Sequence, residues 1–288
     1  MAFRSIFVPV IDDETAHAAL SAGFAVTRYF NAHMAAVHVR YDTTAAIPYV
    51  VGPMPTEMLV QISDNAEKIA DERAVRLREL FEAWARDAGI PVTDSLRADQ
   101  RPAANWREIV GSLDFRCGAE GRLHDLAVVP RPSPDDRGSL ADVLEGLLFY
   151  SGRPVLMMPP GVSDLKADTI AVAWSGSVEA TRAVAAADEL ITAAQRVIVL
   201  TVGEDLIDGP SAEDLAQALG TRGVAAEVVR LDGTERSEGR AILDAATRAG
   251  ADMLVMGAYS HSRLRQLILG GVTRDVIASA ELPVFFIH

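Results

Sequence analysis

The sequence predicts an α/β protein built as two tandem doubly wound domains, each a five-stranded, mostly parallel, Rossmann-like sheet flanked by helices. Three observations carry that reading. The final stretch from Asp252 to His288 runs through an apolar strand, a polar loop, an amphipathic helix, a proline step and a last apolar strand, and the stretch from His124 to Pro160 repeats that order in eroded form. The starts of the two halves also agree, because Ser5-IFVPVIDDETAHAAL and Asp168-TIAVAWSGSVEATRAV both pass from a buried-type strand through a turn into an Ala-rich helix. Strands and helices alternate between these landmarks. Self-similarity at so long a period means two copies of one fold and not a solenoid.

In the first half, strands fall near Ile6 to Ile11, Met34 to Arg40, Asp125 to Pro130 and Pro154 to Met158, each a short apolar run. A long helix covers about Asp64 to Ala88, after a loop from Tyr41 to Pro55. The segment Pro159-PGVSDLKAD, with two prolines and a glycine, ends one sheet before the next begins, and places the domains at 1–162 and 163–288. In the second half, Thr169-IAVAW, Arg196-VIVLTV, Ala226-EVVRL, Asp252-MLVMG and Pro283-VFFI are Val- and Ile-rich runs of the kind that parallel strands covered on both faces require. Val178 to Ala193, Ser211 to Arg222 and Glu238 to Gly250 carry apolar residues at helical spacing between them.

With 288 residues, 49% of them hydrophobic, the chain buries two cores of ordinary domain size. A net charge of −13 opposes nucleic acid as a partner, since such binders cluster Lys and Arg against phosphates. The single cysteine, Cys117, forms no internal disulfide and no cysteine-rich zinc site; it reads as buried filler and fits a reducing, cytoplasmic setting. Ile6-FVPVI is too short for a signal peptide, and no run has the length of a membrane span.

Ligands of open parallel sheets lie beyond the carboxyl ends of the strands. In the second half that region holds Trp174-Ser175-Gly176-Ser177 after the first strand and Gly257-AYSHSRLRQLILGGVT after the fourth. Gly257 lets the backbone leave the strand in close packing, His261, Arg263 and Arg265 make the loop cationic, and Gly270-Gly271 precede a helix beginning near Val272-Thr273. Paired glycines at a helix N-terminus leave N–H groups open to an anion, and Thr273 adds a hydroxyl.

By these residues the chain resembles the universal stress protein family in its tandem form, over essentially its whole length. That family carries Gly-x-x-Gly, nine residues, then Gly and Ser or Thr; here the frame reads Gly257-Ala258-Tyr259-Ser260, nine residues from His261 to Leu269, then Gly270-Gly271. The spacing matches, while Ser260 stands for the second glycine and Gly271 for the hydroxyl residue. The resemblance implies an adenine nucleotide alpha hydrolase-like fold and a stress-response binding or signalling protein. It also implies ATP, with Mg beside it, held in the second half by Trp174, Ser175, Val202, Met256, Gly257, Ser260, His261, Gly270, Gly271, Val272 and Thr273. The family's adenosine-binding Asp is replaced by Ser175 in one half and by Ile11, beside Asp12, in the other.

The first half departs further. After its fourth strand it reads Pro130-RPSPDDRGS, without the glycine pair and with Asp135 and Asp136 where a phosphate would lie, so this half reads as structural. Each feature also has a plain packing reading: Gly270-Gly271 as a turn, Arg263 and Arg265 as a solvated face, His261 as a loop hydrogen-bonder and Trp174 as core. His17, His33, His38, His124 and His288 have no metal-ligand spacing. No phosphate loop, nucleophile elbow or dinucleotide fingerprint occurs, and the turn from Asp12 to Glu14 reads as a helix cap. Two alternatives stand beside nucleotide binding: a nucleotide-free scaffold recruiting a protein partner, and a slow ATPase or adenylating enzyme. The fifth strands, each entered through a proline, are expected to meet about a pseudo-twofold axis as an intramolecular dimer, with further homo-oligomerisation open.

Overall fold

The computed structural model describes residues 3–40, 56–94, 97, 99–133, 139–162, 164–203, 209–232, 237–259 and 271–288. In the first half, the elements are β1 (Ser5–Val10), α1 (Ala16–Phe30), β2 (His33–Arg40), α2 (Thr56–Ala88), β3 (Ala103–Val110), α3 (Leu113–Gly121), β4 (Leu126–Pro130), α4 (Ser139–Tyr150) and β5 (Val155–Met158). The second half contributes β6 (Thr169–Ala173), α5 (Val178–Ala186), α6 (Asp188–Ala193), β7 (Arg196–Val202), α7 (Ala212–Gly220), β8 (Ala226–Leu231), α8 (Glu238–Arg248), β9 (Met253–Gly257), α9 (Gly271–Ser279) and β10 (Val284–Ile287).

Among the described residues ten strands form one sheet in the order β3-β2-β1-β4-β5-β10-β9-β6-β7-β8. Within each half every pairing is parallel, as the unbroken apolar runs require; only β5 and β10 pair antiparallel, with Phe285 opposite Leu156. The two fifth strands therefore meet as the sequence leads one to expect, and the strands of one half run opposite to those of the other. The repeat extends to single hydrogen bonds. Asp125 accepts the backbone N–H of Ser5 at 3.1 Å, and Asp252 accepts that of Thr169 at 2.8 Å, so each fourth strand is tied to the first by the same carboxylate.

The core consists of two continuous layers, one on each face of the sheet. Phe24, Leu77, Phe81, Ala183, Leu190 and Leu215 bring α1, α2, α5, α6 and α7 onto one face. The other face is covered by α3, α4, α8 and α9 through residues such as Leu113, Leu147, Ile242 and Val276. Both layers cross the seam between the halves. Phe3, ahead of β1, packs on Phe285 of β10 with ring centroids 5.9 Å apart, and Arg131 after β4 donates to the carbonyl of Ala278 in α9 at 2.6 Å. Pairs of helices approach through glycine: a Cβ at Gly146 would lie 2.3 Å from the Asp114 carbonyl oxygen, and one at Gly239 would lie 2.8 Å from that of Val272.

Three local expectations change. The third strand of the first half, β3, is absent from the strands the apolar runs pick out, because it is an edge strand whose burial varies along Asn105-Trp106-Arg107-Glu108. The helix expected from Val178 to Ala193 is two helices, α5 and α6, divided at Ala187 with φ −91° and ψ 10°. The long helix of the first half begins at Thr56, two turns earlier than its apolar pattern suggests; this first stretch is largely solvent-exposed, with Met58 and Ile62 about half exposed, so burial does not mark its start.

Candidate functional site

The carboxyl ends of β6, β7 and β9 and the N-termini of α5 and α9 converge in the second half, where the topology of an open parallel sheet places ligands. After β6 the chain follows β7 for one further residue, Trp174, whose N–H meets the Leu200 carbonyl at 2.8 Å. The Trp174 ring is 6% exposed and its indole N–H donates to the Pro210 carbonyl at 2.9 Å. The indole thus fastens the segment after β7 onto the turn after β6, and the packing reading of this residue has the geometry in its favour. Gly176 takes φ +70°, a conformation that favours glycine, and its backbone lies against the same Pro210 carbonyl.

Ser177 then starts α5. Its Oγ accepts the N–H of Ala180 at 3.2 Å and faces the hydroxyl of the exposed Ser175 at 3.1 Å. Gly257, the last residue of β9, is required by this helix: an added Cβ would lie 2.5 Å from both Ala180 N and Glu179 C. The close departure expected at Gly257 is therefore a contact between strand end and helix N-terminus. Met256 beside it is buried, and Val202 at the end of β7 is half-buried.

Beyond β9, Ala258 N–H bonds the Ile287 carbonyl at 2.8 Å, and Tyr259 adopts φ +58°. The Tyr259 N–H reaches the hydroxyl oxygen of Thr273 at 3.4 Å, which ties the strand exit to the first turn of α9. Thr273 is buried and keeps its own hydroxyl proton to donate. The Tyr259 ring turns toward the first half, 4.8 Å from Phe149, and burial with Glu145 nearby pushes its phenol up to about 12. His288 joins this cluster, its Nδ1 donating to the Ala258 carbonyl at 3.0 Å. At the start of α9, Gly271 is exposed and a Cβ there would meet nothing within 4 Å, while Val272 is half-buried. Ser260, His261 and Gly270, together with Arg263 and Arg265, lie outside the described residues.

The matching region of the first half is built differently. Ile11 is buried where Ser175 is exposed. The Asp12 carboxylate is used locally, accepting the N–H and the hydroxyl of Thr15 at 2.8 Å each; it holds the turn ahead of α1, whose N-cap is Thr15 with no side-chain capping bond, so the cap expected of the acidic residues is not formed. Arg131, following β4, points across the seam to α9. Asp135, Asp136 and Gly138 are outside the described residues. One grouping was not anticipated from sequence: His38, Arg40 and Arg73 lie together at the ends of β1 and β2 beneath α2.

No group of three or more His, Cys, Asp or Glu side chains that could hold a metal ion occurs among the described residues. No described helix is long and apolar enough to cross a membrane. Cys117 is buried in the α3 layer, and burial with Asp114 and Glu120 nearby pushes its thiol up to about 12, where the reactive thiolate is scarce.

Fold and site together define a two-lobed α/β protein in which helix N-termini face the strand ends of the second lobe. A family model described as the universal stress protein family matches residues 166–288. Over those residues the second half is similar to the universal stress protein family. The whole fold is shared with a universal stress protein from Archaeoglobus fulgidus DSM 4304, at 19% identity and TM-score 0.62, covering 98% of this chain and 95% of that one. It is also shared with a putative universal stress protein from Pseudomonas aeruginosa UCBPP-PA14, at 16% identity and TM-score 0.55, covering 99% and 93%. At these identities the likeness establishes the fold alone. Comparison of the sequence with curated proteins gives no match.

Proposed function

We propose that the second half, residues 163–288, binds an adenine nucleotide and that the chain acts in the cytoplasm as a stress-response binding or signalling protein recruiting a protein partner. The observation that carries this reading is the open N-terminus of α9. A Cβ at Gly271 would meet nothing within 4 Å, Thr273 and Gly239 fix the helix against β9 and α8, and the N–H groups and dipole of a helix N-terminus favour a phosphate. The spacing from Gly257 to Gly270-Gly271 fits the same use. Ser175, Val202 and Met256 would line the base and ribose, Gly257 would admit the backbone turn, and Ser260, His261, Gly270, Gly271, Val272 and Thr273 would hold the phosphates. A nucleotide would bring Mg with it. Trp174 supports the site from behind through its bond to Pro210. The first half, residues 1–162, serves as the structural partner.

Titration of the full chain with ATP and Mg by calorimetry, beside Gly271→Asp, tests the reading. A Cβ at Gly271 meets open space and its φ is not in the left-handed region, so the variant is expected to fold as the parent does. Its carboxylate would oppose the phosphate by about 4 kcal/mol at contact distance near a protein surface, roughly a thousandfold in affinity. Saturable binding by the parent, abolished in the folded variant, is the expected outcome. No nucleotide binding by the parent would make the chain a nucleotide-free scaffold, with Gly270-Gly271 as a turn.

A further inference from the structure

The turn that leads from β9 toward α9 belongs to the second half, but the ring that holds it belongs to the first. The chain leaves β9 through Tyr259, which sits at φ +58°. An L-residue with a bulky side chain keeps that left-handed conformation only where its surroundings over-determine it. The Tyr259 N–H reaches the hydroxyl oxygen of Thr273 in the first turn of α9 at 3.4 Å, so the setting of this one residue and that of the helix start go together.

Phe149, next to last in α4, supplies the constraint. Its ring lies 4.8 Å from that of Tyr259 at an interplanar angle of 31°. It also meets His288 edge-on at 4.8 Å, and the His288 Nδ1 donates to the carbonyl of Ala258, the residue just ahead of Tyr259. The strand exit is thus gripped twice from α4, once directly and once through His288. The far end of α9 is pinned to the same half, because Arg131 donates to the Ala278 carbonyl at 2.6 Å while its own N–H bonds Met158 of β5 at 2.8 Å. A cation at a helix C-terminus also complements the dipole. With that end fixed, the entry turn is the part of α9's setting that depends on Phe149.

We infer that Phe149 is a positioning residue for the ligand site of the second half, so that the first half sets across the seam how tightly the second binds. This rests on the nucleotide reading for its ligand, though not for the coupling itself. A site whose competent arrangement is populated only in part binds more weakly by that fraction. Calorimetry of the full chain with ATP and Mg, beside amide exchange at Tyr259 followed by NMR, tests it. Phe149→Ala is expected to weaken ATP by about tenfold and to speed exchange of the Tyr259 amide by a similar factor. Phe149→Leu still fills the space against Tyr259 and should stay within about twofold of the parent in both. Phe149 is only half-buried, so both variants are expected to keep the parent helix content. Parent-like ATP affinity in Phe149→Ala, or an equal loss in Phe149→Leu, would overturn the inference. If the parent binds no ATP, the nucleotide reading fails by itself and the Tyr259 amide decides: exchange unmoved by Phe149→Ala overturns the coupling, and faster exchange there but not in Phe149→Leu upholds it.

Discussion

At the scale of single residues, two buried histidines give the protein a defined acid sensitivity. Burial lowers the pKa of His38, against the opposing influence of Glu108, and of His124, against that of Glu120 and Asp125, while Arg40, Arg73 and Arg107 add to the lowering. In the unfolded chain both titrate near ~6.5. Between that value and the lower folded values the unfolded state binds more protons, so stability rises with pH and falls as pH drops through the window. Urea midpoints are therefore expected to decline from about pH 7.5 to about pH 5, before the carboxylates at ~4 begin to protonate. Replacing both rings by Asn should flatten that slope; a slope unchanged in the double variant would show the loss to have another source. His124 also illustrates what a sequence conceals. Its Nδ1 meets the Ser5 hydroxyl at 2.7 Å and its ring stacks on Phe7, a structural role made by two chain segments over a hundred residues apart.

At the scale of elements, the contact of β9 with α5 determines how sharply the site is formed. Gly257→Ala would drive a methyl into backbone atoms of α5 at 2.5 Å, where no flexible side chain can give way. Overpacking of this kind costs about 1–3 kcal/mol or more. The variant is expected to show a lowered urea midpoint and a displaced α5 N-terminus, read as weaker nucleotide binding if the second half binds one; parent-like stability would show that the strand end relaxes freely. Most elements were legible in advance because parallel strands buried on both faces leave continuous apolar runs, as in Arg196–Val202 and Met253–Gly257. β3 was not, since an edge strand exposes Arg107 and Glu108 and loses that signature. The glycine at the β9 exit was legible through its spacing, but the His38, Arg40 and Arg73 grouping was not. It depends on α2 folding back over the ends of β1 and β2, which no local pattern announces.

At the scale of the whole molecule, the β5–β10 pair makes one sheet from two. Each strand alone is the edge of its own half, and each is apolar and fully or nearly fully buried only because the other covers it. A fragment of residues 163–288 expressed alone would expose β10, and self-complementary antiparallel pairing would cover it again. The fragment is expected to dimerise in analytical ultracentrifugation, and Phe286→Asp within it should abolish the dimer. A stably monomeric fragment with parent-like helix content would mean that the seam is not needed to shield the strand. The full chain satisfies the same need internally, with Phe3 and Phe285 packed on one face of the sheet and Arg131 bonded to α9.

The opposed direction of the two sets of strands has a further consequence. Every binding feature at strand ends in one half faces the opposite way from its counterpart in the other, so the slab has a front and a rear with unlike chemistry. One rim carries Gly271 and Thr273 at the α9 terminus; the far rim carries His38, Arg40 and Arg73. Anything seated over one rim would therefore leave the other facing open water.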